Sequence, residues 1–255
     1  MGRSLFRALA PLCALALAGL VLSARDAAAA APASAITTTT TLTSSQNPTL
    51  TTGTPSITAT VVSSTAATPT GSVQFTVTRP NGVAIGALQF LSTTNSVSIT
   101  LPDNPLQDGT YTIAAQYIDS SGVFASSAGT FYELVNDPTA VVTSAHLVAS
   151  PSVVTAGQAI SFTATVSRVG TGTSTPTGTV RFVDQGTIIG TATLAAGQAT
   201  FTTSTLSVGV HHVSALYGGD ATFGGSVATT TAVVNSACNA GRSSSAVGRR
   251  STARR

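Results

Sequence analysis

The sequence predicts an all-β protein of two tandem β-sandwiches, preceded by an export signal and followed by a basic tail. Three observations carry this expectation. The first is composition. Charged residues are 7% of the 255, against about 25% in an average globular protein. Thr, Ser and Gly take their place, Lys is absent, and Glu133 is the only Glu. β-branched Thr suits a pleated, half-buried surface. A disordered Ser/Thr-rich stalk would share the polar content, but a 42% hydrophobic share with nine Phe and four Tyr is apolar enough to fold. The second is period-two alternation, as where Ile160, Phe162, Ala164 and Val166 are separated by Ser161, Thr163 and Thr165. Such a strand has one buried face and one wet face. The third is an internal repeat.

The repeat is plainest in Thr68–Phe75, TPTGSVQF, and Thr175–Phe182, TPTGTVRF. Leu106-x-x-Gly109-x-Tyr111-x-Ile113-x-Ala115-x-Tyr117 recurs as Leu206-x-x-Gly209-x-His211-x-Val213-x-Ala215-x-Tyr217. Asp119, Phe124 and Ser127 then find counterparts in Asp220, Phe223 and Ser226. A period of about a hundred residues is too long for a solenoid unit and fits two sandwich domains, linked end to end.

Residues 1–35 read as a signal peptide. Arg3 and Arg7 precede an apolar run, Ala8–Leu22, and Ala33-Ser34-Ala35 supplies a small-residue exit. A membrane anchor is the competing reading, but the run is short for a bilayer span. Cleavage after Ala35, or within the alanines near Ala30, would remove Cys13. Cys238 would then be the only thiol, read as incidental. Residues 36–137 form the first domain, a diverged copy with a longer middle, in which Thr37–Thr41 is either linker or first edge strand. Residues 138–235 form the second. Its strands are Leu147–Ser150, Ile160–Ser167, one through Val180 and Phe182, Ile188–Leu194, Ala199–Thr203, one through His211–Tyr217, and Val227–Val234. That is about seven, as in a sandwich. TPTG marks the turn entering the third strand: Pro fixes φ, Gly permits the reversal, and the next two apolar residues enter the core. Tyr111 and His211 occupy the place of a tyrosine corner, where a ring bonds back to the preceding loop. Residues 236–255 form a disordered tail with five Arg and no acid. Residues 36–235 hold three Arg against seven acids, so the net charge of +3 belongs to the ends and predicts no specific nucleic-acid partner.

The run Thr175-Pro-Thr-Gly-Thr-Val-Arg-Phe-Val-Asp-Gln-Gly, then Ile189-Gly-Thr-Ala-Thr-Leu, Leu206-x-x-Gly-x-His and Tyr217-Gly-Gly-Asp-Ala-Thr-Phe, resembles the bacterial Ig-like repeat domain of the group 3 type. The resemblance covers Ser144–Asn235. Thr40–Val135 is similar but diverged, with Tyr117-Ile-Asp-Ser-Ser-Gly-Val-Phe in place of Tyr-x-Gly-Asp-x-x-Phe. It implies two immunoglobulin-like sandwiches, an extracellular or surface location, a spacer or binding role, and no catalytic residues.

The residues themselves point the same way. No catalytic, cofactor-binding or metal-binding residue is assigned. The acids Asp103, Asp108, Asp119, Asp137 and Asp220 fall in turns, and paired carboxylates facing a pocket are not evident. His211 and His212 are strand neighbours and point to opposite faces, so they do not chelate one ion. Asp119 or Asp220 could hold Ca²⁺, but their acids are too sparse for its oxygen-rich shell. The absence of Lys excludes Lys–Asn isopeptide cross-links. The expected function is an exported, non-catalytic structural spacer. The alternative is a cell-surface adhesion module that binds protein or glycan through loops or exposed strand edges. The partner is unknown, with a surface protein or polysaccharide the class considered, and no transmembrane anchor is expected in the mature chain.

Overall fold

The computed structural model describes residues 35–91 and 94–237. The export signal through Ser34, Cys13, Cys238 and the arginines of the tail lie outside them.

Among the described residues every regular element is a strand. In chain order they are β1 (Thr38–Ser44), β2 (Thr49–Leu50), β3 (Ser56–Ser63), β4 (Gly71–Thr78), β5 (Ala84–Leu91), β6 (Ser96–Thr100), β7 (Gly109–Ile118), β8 (Ser127–Asn136), β9 (Thr143–Ser150), β10 (Val153–Thr155), β11 (Ile160–Arg168), β12 (Thr179–Asp184), β13 (Thr187–Thr193), β14 (Gln198–Thr203), β15 (Gly209–Tyr217) and β16 (Ser226–Asn235). They form four sheets, ordered β1-β3-β6 and β2-β8-β7-β4-β5, then β9-β11-β14 and β10-β16-β15-β12-β13. The second pair of sheets repeats the first strand for strand. Each pair encloses its own core, so the molecule is two tandem immunoglobulin-like sandwiches.

Each sandwich has eight strands rather than about seven. The first strand divides: its leading half pairs antiparallel with β3 or β11. At Asn47-Pro48, and again at Ser150-Pro151, the chain crosses to the other sheet. The short β2 and β10 then run parallel to β8 and β16. Proline supplies no N–H to a ladder, so the break falls where pairing stops. Thr37–Thr41 is strand and linker at once, since β1 begins at Thr38.

The cores follow the alternation. Ile57, Ala59 and Val61 of β3 face Val73, Phe75, Ile113 and Tyr117 across the first sandwich; Phe162, Ala164 and Val166 face Val180, Phe182, Val213 and Tyr217 across the second. Arg181, between Val180 and Phe182, is exposed. Aligned by register, Ile57 and Ile99 pair in the first where Phe162 and Phe201 pair in the second. Phe201 also stacks on Phe182, ring centroids 5.5 Å apart.

TPTG does the same work twice. Pro69 and Pro176 are buried, and Gly71 and Gly178 have φ of 122° and 96°, a region that favours glycine. At Gly71 a Cβ would also meet the Ile118 carbonyl oxygen at 2.5 Å. The Tyr117 hydroxyl donates to the Thr70 carbonyl and ties this turn to β7.

The sandwiches are not joined only end to end. Both lie in one compact unit. Leu134, Val183 and Leu216 are buried but belong to neither core. Each sits at the outward parity of its strand, next to Val135, Phe182 and Tyr217. Their burial comes from the neighbouring sandwich. Gly186, in the β12–β13 turn, approaches the backbone of Thr130 so closely that a Cβ would lie 2.3 Å from its carbonyl oxygen. Near the linker, Asn136 donates to the Gly225 carbonyl at 2.9 Å and accepts from the Gly225 N–H at 2.8 Å.

Candidate functional site

The titratable side chains gather at the sandwich corners. In the first, the Tyr111 hydroxyl accepts from the Gln107 N–H at 2.8 Å and donates to Asp103 at 2.9 Å. Asp103 in turn receives the Arg79 guanidinium through Nε and Nη2, at 2.7–3.0 Å. The Arg79 hydrogen bond holds the Asp103 carboxyl below its ordinary range against the opposing effect of burial, and Asp103 raises Arg79. Burial is the main cause raising the Tyr111 phenol.

In the second sandwich His211 Nε2 donates to the Ser207 carbonyl at 2.8 Å, and Nδ1 donates to Asp184 at 2.6 Å. Both partners are acceptors, so the fully bonded ring is the imidazolium. Burial pulls its pKa down, but the Ser207 carbonyl and Asp184 outweigh it, and the net shift is upward. The expected local hydrogen bond is present in both copies, four residues back along the chain. His212 is exposed on the other face, with the Thr231 hydroxyl 3.3 Å from its Nδ1. The geometry therefore makes corner braces of these clusters.

The turn acids are committed to local donors. Asp119 accepts from the Phe124 N–H, from the Ser121 hydroxyl and N–H and from the Val123 N–H, which hold its carboxyl at about 2. Asp220 accepts from the Thr222 and Phe223 N–H groups and from the Thr177 N–H and hydroxyl. Burial opposes its ionisation, yet these bonds lower its pKa. Asp108, Asp137 and Asp220 line a cleft of about 430 Å³ beside the linker. Asp108 accepts the Asp137 N–H, and Asp137 accepts both Thr139 donors. Oxygens already aimed at N–H and O–H groups turn the loops, and among the described residues no three His, Cys, Asp or Glu come together as a metal-ligand group.

Three features were not legible from the sequence pattern. Glu133 lies on β8 at core parity, opposite Tyr111, and is fully buried. Neither of its carboxyl oxygens has a hydrogen-bond partner among the described residues. Burial lifts its pKa to about 7. Its counterpart in the second sandwich, opposite His211, is Ala232. The second feature is the groove of about 340 Å³ between the sandwiches, with Thr43, Asn47 and Tyr132 on one wall and Val183, Leu216 and Val227 on the other. The third is β5. Phe90, the penultimate residue of the strand, is 72% exposed, and Leu88 on the same face is 51% exposed. β5 is the terminal strand of its sheet, so Phe90 lies on an open edge.

Residues 147–235 match the family model described as bacterial Ig-like domain (group 3). No curated protein matches the sequence. Among solved structures, the chain is similar to fibronectin(III)-like modules of Clostridium thermocellum CbhA, at 20% identity, 76% of this chain, 94% of that one and a TM-score of 0.31. It is similar to the D0–D1 domain of intimin at 15% identity, 75% and 97% coverage and a TM-score of 0.39. It also matches a Salmonella alpha-2-macroglobulin at 13% identity and a TM-score of 0.32, over 77% of this chain but only 16% of the other's length. Among the described residues no helix is long and apolar enough to cross a membrane.

Proposed function

Since residues 147–235 are a bacterial Ig-like domain of group 3 and β1–β8 repeat its strand order, we propose that this protein is an exported, non-catalytic structural spacer located at or beyond the cell surface. The observation that supports this reading is the use made of the outward faces. Leu134, Val183 and Leu216, which could have formed a ligand surface, are buried where the modules meet. Burial of each Leu or Val contributes roughly 1.5–3 kcal/mol. The Asn136–Gly225 pair adds two hydrogen bonds at the linker. Two modules held in this way are a stiff two-domain strut, which is what a spacer requires. The polar clusters brace corners and turns, and the body carries no assigned nucleophile or paired acids.

Adhesion is the second reading, and the open β5 edge with Phe90 favours it. A glycan array and a pull-down with the full chain separate the two. The spacer reading expects no reproducible ligand; specific binding that is lost on changing loop or edge residues overturns it. Cell fractionation tests export, and retention of the chain in the cytoplasm contradicts it.

A further inference from the structure

The geometry points to a homodimer in which the β5 edges of two copies pair antiparallel about Leu88, joining two five-stranded sheets into one of ten. An edge strand exposes a row of unpaired N–H and C=O groups, and proteins blunt it with charge, proline, a bulge or brevity. β5 has none of these. Ala84–Leu91 reads AIGALQFL, eight residues without charge or proline. Its ladder to β4 runs without a register shift. Among the described residues no further backbone partner covers its outer side.

The outer strands β13, β6 and β14 are less suited. The equivalent strand β13 meets a register shift between Phe182 and Val183. β6 and β14 have only five and six residues, and the exposed positions of β14 are Gln198, Thr200 and Thr202.

The occupant is a second copy because β5 is complementary to itself. Residues directly opposite in an antiparallel pair share a face. The exposed row of β5 is Ala84, Gly86, Leu88 and Phe90. A two-fold axis through Leu88 sets it against the partner's Leu88 and lays Phe90 over the partner's Gly86. An aromatic ring over a cross-strand glycine covers backbone that the glycine leaves bare. No charge opposes a like charge in this register. On this account Phe90 is exposed in one chain because the partner covers it. The inference is independent of the spacer reading: a monomer would remove the dimer and leave the strut.

Sedimentation velocity of the full chain, from micromolar to millimolar concentration, tests it. The wild type is expected to shift from monomer to dimer mass. Leu88→Lys and Leu88→Glu each place like charges at the axis and are expected to weaken the dimer by about 100-fold. An equimolar mixture of the two is expected to recover it as a heterodimer. Ile188→Lys, on the β13 edge, is expected to change nothing. Phe90→Ser replaces the Leu88 variants if these lose their thermal transition, and it too should weaken the dimer. A wild type that stays monomeric at millimolar concentration overturns the proposal, as does a dimer indifferent to Leu88 and Phe90 or one lost with Ile188→Lys. A strand-shaped peptide of another protein that binds β5 while the wild type stays monomeric would also replace the second copy as occupant.

Discussion

The two sandwiches have the same strand order but brace the same corner with opposite chemistry. In the first, Tyr111 accepts a loop N–H, and its acid, Asp103, leans on a permanently charged Arg79. In the second, His211 donates to a loop carbonyl, and its acid, Asp184, depends on the imidazolium alone. The first brace keeps its charges through neutral pH. The second is tied to a ring whose unfolded pKa is about 6.5. One scaffold position therefore accepts a neutral phenol or a charged ring, provided the ring reaches back four residues and an acid waits beside it. The first sandwich carries its own pH-sensitive group deeper, at Glu133, where the second has Ala232.

The largest expected effect separates the cores. Phe182→Ala should cost about 4–5 kcal/mol and Phe75→Ala about 3–4 kcal/mol in urea denaturation, because only Phe182 also loses an aromatic stack. Equal costs would remove the distinction between an aromatic and an aliphatic core layer. Next come the corners. His211→Phe strands Asp184 without its donor and should cost about 2–3 kcal/mol at pH 6, whereas Tyr111→Phe should cost about 1 kcal/mol because Arg79 still holds Asp103. The His211 contribution has a pH signature. The folded ring binds its proton more tightly than the unfolded one, so the stabilisation is full below about pH 6.5 and lost as pH rises through the folded value. Thermal melts from pH 5 to 9 should show this decline in the wild type and a flatter profile in His211→Phe.

Glu133 works in the same direction. Its folded pKa of about 7 lies above the ordinary 4.5, so stability is full below the lower value and is lost as pH rises through the higher one. Glu133→Met should gain on the order of 2 kcal/mol at pH 8 and much less at pH 4. A gain independent of pH would mean that the carboxyl titrates alike in the folded and the unfolded chain. The smallest effect is at the repeated turn. Gly178→Ala should cost about 1 kcal/mol, from its positive φ alone, and Gly71→Ala about 1 kcal/mol more, because its Cβ also meets the Ile118 carbonyl.

Much of the fold could be read from residue order, because strands with one wet face write their own alternation. Ile160 to Val166 is such a case, and the paired TPTG turns and the two corner rings fall at matching places. What escaped the sequence depends on neighbours distant along the chain. The run TTTTLTS of β1 has no apolar alternation, and the crossing from it to β2 in the other sheet is marked in the sequence by Pro48 alone. Leu134 and Leu216 stand at outward parity and are buried only because another module covers them. This is why an end-to-end chain of domains was expected where the modules also touch. Glu133 reads as a surface residue by type, and only the register opposite Tyr111 shows it in the core. Phe90 is the converse, an aromatic residue on the wet face of an edge strand.

The central claim, that two modules are held as one stiff strut, is tested most directly by residual dipolar couplings measured on both sandwiches in one weakly aligned sample. The account predicts one alignment tensor for residues 38–136 and 143–235, dividing into two when Leu216→Asp opens the shared face. Two distinct tensors in the wild type would mean independently tumbling beads and would contradict it.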